Sequence, residues 1–193
     1  MTELKKKYEV EVKVAIDNIE EMEDRILHLG ATKINKEIQV DSYFDHPCRI
    51  FQETDEALRV RIRRPLDTNE YESSTDLVEL TYKGPKVDST TKTRTETTVS
   101  LSNATDITSV LVSLGFKHVA KLTKKRQFFS LQTVIISTDD VEDVGQFVEL
   151  ESIATNNGEL VAAREYIFKT VYNLGLDPTQ SIRESYLELY LNR

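Results

Sequence analysis

Glu9, Glu11 and Lys13 alternate with Val10, Val12 and Val14. On a strand, residues two apart share a face, so the three ionic groups point one way and the valines the other. Two carboxylates at that spacing are close enough to share one divalent cation, and a lysine beyond them is placed to hold an anion that the cation also touches. That chemistry suits a metal-bridged phosphate. The same alternation also describes an antiparallel strand whose outer face is merely solvated, so the other ionic residues decide between the two.

Arg59, Arg61 and Arg63 alternate with Leu58, Val60 and Ile62, repeating the design with the opposite charge. Lys83 shares a polar face with Glu79 and Thr81, Arg94 shares one with Glu96 and Thr98, and Lys124 pairs with Arg126. Near the C-terminus Phe147, Glu149 and Glu151 alternate with Val148 and Leu150, so the carboxylate pair recurs. Acids thus sit on the first and last strands and bases on those between, whereas a solvated face mixes signs within each strand. A sheet curled into a barrel would bring its first and last strands together, gathering four glutamates while the bases line the rest of the lumen. Such a lumen suits Mg2+ with a polyphosphate, because carboxylates hold the ion and arginine forks and lysines neutralise the remaining oxygens. Asp139, followed by Asp140, either adds a metal carboxylate or is a turn residue. Glu79 and Glu96 read as ion-pair partners of neighbouring bases, and His28, His46 and His118, which lie off these faces, as surface or packing residues.

The elements that must position these groups follow from periodicity. Strands are expected near 8–14, 34–44, 58–63, 78–83, 92–100, 116–131, 134–139 and 146–153, with polar loops over 65–75 and after Gly84-Pro85. Asp17 or Asn18 caps a helix with Ile19, Met22, Ile26 and Leu29 inward, and Ser102 or Asn103 caps another; Gly30 and Gly115 stop them. Further helices are expected over 158–174 and 181–191. Three stretches, 11–30, 96–115 and 151–175, share a strand end, an amphipathic helix and a Leu-Gly stop, a supersecondary unit used three times.

With 193 residues, 39% hydrophobic and 30% charged, the chain fits one domain over residues 1–193. No apolar run is long enough to span a membrane, and Met1 to Lys7 lacks the apolar stretch of a secretory signal, so a cytoplasmic protein is expected. Cys48 is the only cysteine, which excludes an internal disulfide and multi-cysteine zinc. The net charge of -8 disfavours nucleic acid as a partner.

These residues resemble the CYTH superfamily, which contains class IV adenylyl cyclases, thiamine triphosphatases and inorganic triphosphatases. Glu9-Val10-Glu11-Val12-Lys13 is similar to its N-terminal ExExK signature. Gln39-Val40-Asp41-Ser42-Tyr43-Phe44, Ala57 to Arg61, Thr81 to Gly84, Arg94-Thr95-Glu96, Lys124 to Arg126, Asp139, Gly145 to Glu151 and Ser185 to Leu189 follow in the order of the cyclase-like branch. The resemblance implies an α+β fold, a closed antiparallel β-barrel or triphosphate tunnel of roughly eight strands with flanking helices. It implies a Mg2+ or Mn2+ cofactor held by Glu9, Glu11, Asp139, Glu149 and Glu151. Lys13, Arg59, Arg61, Lys83, Arg94, Lys124 and Arg126 would hold the triphosphate, with Lys13, Lys83 and Arg126 as the catalytic cations. The partner is ATP or another triphosphate, with no nucleic acid or membrane; a homodimer is left open. The expected reaction is ATP to cAMP and pyrophosphate. The alternatives are a triphosphatase or a polyphosphate-binding module, since fold alone does not fix the phosphorus attacked.

Overall fold

The computed structural model describes residues 8–66, 76–86 and 94–193. Within them the alternating stretches form eight strands: β1 (Tyr8–Ala15), β2 (Thr32–Asp45), β3 (Ala57–Pro65), β4 (Leu77–Lys83), β5 (Glu96–Leu101), β6 (Lys117–Leu131), β7 (Val134–Val141) and β8 (Gly145–Ala154). Four helices accompany them: α1 (Ile19–His28), α2 (Ala104–Ser113), α3 (Asn157–Asn173) and α4 (Tyr186–Leu191). Most of the expected 65–75 loop, and Lys92 and Thr93 of the expected fifth strand, lie outside the described residues.

Helix boundaries follow side-chain chemistry. Asn18, Asn103 and Asn156 each accept a hydrogen bond from the backbone N–H groups of the first turn. Gly30 and Gly115 then end α1 and α2 at φ of 87° and 90°, a left-handed conformation that a side chain would disfavour. The fourth helix is shorter than expected. Pro178–Gln180 makes a 3-10 turn, and α4 begins only where Ser185 and Glu188 form a reciprocal capping box.

All eight strands are antiparallel in the order β1-β8-β7-β6-β2-β3-β4-β5. The first and last strands meet, but not by barrel closure as the sequence suggested; they are paired neighbours, with Glu11 opposite Glu151 and Lys13 opposite Glu149. The edges of the sheet are β1 and β5, and among the described residues a bridge joins Glu9 of β1 to Arg94, two residues before β5. The result is a half-barrel curled until its edges meet at that point.

The apolar faces look outward, under the helices. Val10, Val12 and Val14 pack with Ile136, Val148 and Leu150 beneath Met22 and Ile26 of α1 and Ile167 and Val171 of α3. Leu111 of α2 covers Leu58, Val60 and Val78 in a second cluster. Each such side chain stabilises by about 1.5–3 kcal/mol when buried. A one-residue slip of β1 would expose the whole valine row, so this row fixes the ionic face inward. Among the described residues, no helix is long and apolar enough to cross a membrane.

Candidate active site

The inward faces enclose a cavity of about 390 Å3. Arg59, Arg61 and Arg63 reach it from β3, Lys83 from β4, Lys124 and Arg126 from β6, and Arg94 from the seam. Glu9 and Glu11 of β1 and Glu149 and Glu151 of β8 complete the ionic wall. Of the residues assigned to metal or triphosphate from sequence, all but Lys13 and Asp139 line this cavity.

Those two lie behind the wall, each with 0% exposure. Lys13 Nζ donates to the carbonyl of Glu184 and sits 4.2 Å from the centre of the Tyr186 ring, so in this conformation it holds the C-terminal segment. Asp139 accepts a fork from Arg126, with Nε at 2.6 Å, and also receives Lys124 Nζ at 3.2 Å and the Tyr186 hydroxyl at 2.7 Å. Burial raises its pKa, but Arg126 and Lys124 outweigh that and hold the carboxyl below its usual range. Arg126 also donates to Glu149.

The arginines of β3 are set by carboxylates on β2, which sequence reasoning did not assign a role. Asp41 takes a two-pronged bond from Arg61, at 2.6 and 2.7 Å, and lies 3.8 Å from Arg59. Burial opposes its charge, yet Arg61 and Arg59 keep it ionised far below a normal aspartate. Glu37 likewise accepts a two-pronged bond, from Arg63 Nε and Nη2. The signal was present in the alternation of Glu37, Gln39, Asp41 and Tyr43 along β2; their neighbours across the sheet were not. Burial and the nearby Asp41 push the Tyr43 hydroxyl up to about 12. Lys124 moves the other way, down to about 8, because burial and then Arg126 disfavour its charge.

On the acidic side the balance is reversed. Glu9 has a pKa well above the normal value, chiefly from burial; Lys83 lowers it, while Glu96, Glu151 and Glu11 raise it further. Glu96 pairs with Lys83, and Glu79 lies 3.5 Å from Arg63, both as expected. Among the described residues no three acidic or histidine side chains converge on one ion-binding point. Even so, Glu9, Glu11 and Glu151 line the same cavity, and carboxylate oxygens are the donors that Mg2+ or Mn2+ takes. Two buried side-chain atoms have no hydrogen-bond partner within the described protein, Arg59 Nε and Gln39 Oε1, and both residues line the cavity.

One end of the cavity is covered by the C-terminal segment. Ser185, Tyr186, Leu187, Glu188 and Leu191 line it, and Glu188 is 3.5 Å from Lys86, which binds Asp55 at 2.6 Å. Phe51 and Val119 make the same end apolar. The histidines stay off the site: His46 packs on Phe51 and Phe116, His118 on Phe44, and His28 meets the carbonyl of Asp24.

A curled antiparallel sheet with cations and carboxylates facing one interior cavity defines a half-barrel with an ionic lumen. The chain belongs to the CYTH domain family, which residues 7–186 match. A protein of Methanocaldococcus jannaschii, named provisionally as an adenylate cyclase, is 36% identical over 181 residues, 94% of this chain and 97% of its own length. Adenylate cyclase CyaB of Aeromonas hydrophila is 24% identical over 184 residues, 95% of this chain and 88% of its own. Among solved structures, the PH1819 protein of Pyrococcus horikoshii superposes with a TM-score of 0.84 at 37% identity, covering 95% of this chain and 98% of that one. A Hippeastrum protein, provisionally an adenylyl cyclase and described as having a dominant triphosphatase activity, shares the fold at 15% identity and a TM-score of 0.63, covering 95% of each chain.

Proposed function

We propose that the chain is a metal-dependent enzyme that holds a triphosphate in its cavity and acts on ATP as a class IV adenylyl cyclase, forming cAMP and pyrophosphate. The observation that carries this reading is the gathering of Arg59, Arg61, Lys83, Lys124 and Arg126 from three strands onto one cavity that β1 and β8 line with glutamates. An anion-binding module needs only the cations. The names of the Methanocaldococcus and Aeromonas relatives favour the cyclase. A fully closed barrel, a cytoplasmic setting and binding of no nucleic acid belong to the same proposal, since the described site cations face inward rather than toward a duplex.

Glu9, Glu11, Glu149 and Glu151, with Asp139 behind them, would hold Mg2+ or Mn2+. When bound, the ion would neutralise charge on the phosphates and the leaving group. The chain's own part is to position and to stabilise. The ribose 3′-oxygen bonds to the α-phosphorus and releases its hydroxyl proton to solvent, the bond from that phosphorus to the oxygen bridging it to the β-phosphorus breaks, and pyrophosphate departs with the electron pair and the growing charge. Arg61 and Arg126 are already fixed by Asp41 and Asp139, so they meet that charge with little rearrangement. Lys83 and Lys124 add to it as point charges, and Lys13 would join them when the segment around Glu184 lifts.

Purified protein with ATP and Mn2+ is expected to release cAMP and pyrophosphate, resolved by chromatography. ADP and orthophosphate in place of cAMP and pyrophosphate, with tripolyphosphate cleaved faster than ATP, would sink the cyclase and leave the triphosphate site standing. That second reading, a triphosphatase, needs the same cations and carboxylates and differs in the phosphorus attacked.

A further inference from the structure

Register fixes which residues of the central strands look away from the cavity. Phe129 of β6 packs in the core beneath α1 and α3, so Lys121, Thr123, Lys125 and Gln127 share its outward face. Their partners on β2, from Lys36 through Ile38 and Val40 to Ser42, look the same way, as do Ile62 and Arg64 of β3 beyond them. The helices leave this strip bare. The first and third cover β1, β7 and β8, and the second covers part of β3, but among the described residues no helix packs along β2. Ile38, Val40 and Ile62 are therefore half-buried and belong to none of the core clusters.

The strip is charged on one side and bordered by the opposite charge on the other. Lys121 and Lys125 stand exposed on it, with no salt bridge to any described residue. Beside it, on β7 and at the turn into α1, Asp17, Glu20 and Asp140 are exposed and likewise make no salt bridge among the described residues. Lys125 and Asp140 are opposite each other in the sheet register yet do not close to an ion pair. A cleft of about 570 Å3 separates the two groups, lined by the three acids and by Lys125, with room for side chains of a partner.

We propose that two copies of this chain pair through the outward face of β2 and β6, with Lys121 and Lys125 of each copy meeting Asp17, Glu20 and Asp140 of the other. A face with cations on one side and carboxylates on the other is complementary to itself after a two-fold rotation, so the same contact forms twice. Between the two charged zones, Ile38, Val40 and Ile62 of each copy cover those of its partner. In a chain of net charge -8, this local meeting of opposite signs offsets the repulsion between copies. The strip is about 20 Å long over residues 36–42 and about 15 Å wide across β3, β2, β6 and β7. With the acidic side included, each copy buries roughly 600 Å2, the low end for a specific interface, which suits a dimer of micromolar strength. The cavity lies on the opposite face of the sheet, so the dimer and the triphosphate site stand or fall separately.

Sedimentation equilibrium of the full chain tests this. The parent should form a dimer with a Kd on the order of 10 µM in about 50 mM salt, weakened about tenfold or more in about 500 mM salt. Lys121→Glu with Lys125→Glu makes both contacts of the dimer repulsive, and so does Asp17→Lys with Glu20→Lys, so each double variant alone should be monomeric. Mixed in equal amounts, the two should recover a dimer, because each then presents the charge that the other lacks; recovery also shows that both fold. The milder Lys121→Gln with Lys125→Gln, which leaves the strip polar and the fold unthreatened, should weaken the dimer by about tenfold. A parent that stays monomeric up to about 200 µM in low salt would overturn the proposal and leave the strip as a solvated face or a surface for some other partner. Charge-reversed variants that remain dimeric, an unchanged Kd in the glutamine variant, or a mixture that stays monomeric although each variant unfolds at the parent's temperature would overturn it as well.

Discussion

The Tyr186 hydroxyl donates to Asp139 Oδ2 across 2.7 Å, and this bond ties the C-terminal helix to the buried ion pairs of β6 and β7. The same ring lies over Lys13 and Lys124, at 4.2 and 4.8 Å. One side chain therefore touches three of the charged residues that the sequence singled out, and it covers the end of the cavity they surround.

Tyr186→Phe removes only the hydroxyl and should cost about 1 kcal/mol of stability, the usual net worth of one hydrogen bond. The loosening should be local to the C-terminal segment. Hydrogen exchange at the Leu189 and Asn192 amides, which bond to Ser185 and Glu188 oxygens, is expected to speed up more than exchange at β7. Equal acceleration of both would show that the helix is not held through this contact.

Asp139→Asn should be far more damaging, by roughly 3–5 kcal/mol, because it leaves Arg126 and Lys124 buried without their shared counter-charge. The folded pKa of Asp139 is depressed, so its contribution is present above the unfolded aspartate pKa and is lost as pH falls through the folded one. Urea denaturation of the metal-free protein should show the gap between parent and variant narrowing in acid. A gap that stayed constant down to acid unfolding would remove the ion-pair account.

Glu9→Gln should behave with the opposite sign. The folded pKa of Glu9 is raised, so its most favourable contribution lies below the unfolded glutamate pKa and is lost as pH rises through the folded value. Without metal, the variant should match the parent near pH 4 and exceed it in stability at pH 8. Mn2+ affinity by calorimetry should fall by at least the roughly 10–100-fold that losing an outer metal partner costs. Glu11→Gln and Glu151→Gln should share the metal effect. Unchanged Mn2+ affinity in all three would end the assignment of a metal to this wall.

Lys124, with its pKa lowered to about 8, is charged in only part of the protein population above that pH. Tripolyphosphate affinity should weaken by about tenfold between pH 7 and 9 as this cation is lost. Lys124→Met should bind more weakly at pH 7 and show a flatter profile. The same steep profile in the variant would assign the titration to another group.

Alternation in the sequence determined which residues share a face, because a strand has a period of two whatever it pairs with. Glu9 with Glu11, Arg59 with Arg61 and Arg63, and Glu149 with Glu151 were legible for that reason, as were the helix ends marked by Asn18, Asn103, Gly30 and Gly115. The sign pattern also gave the inward orientation, since the valines of β1 have only one buried side to occupy. Tertiary structure alone decided which strands are neighbours. The long-range pairing that sets β2 between β3 and β6 converts Glu37 and Asp41 from strand residues into counter-ions for Arg63 and Arg61. It also places Lys13 under Tyr186 and Asp139 against Arg126, contacts across 171 and 13 residues for Lys13 with Glu184 and Arg126 with Asp139. Spacing along a chain carries no information about such partners, because the energy that selects them is burial of the opposite, apolar faces.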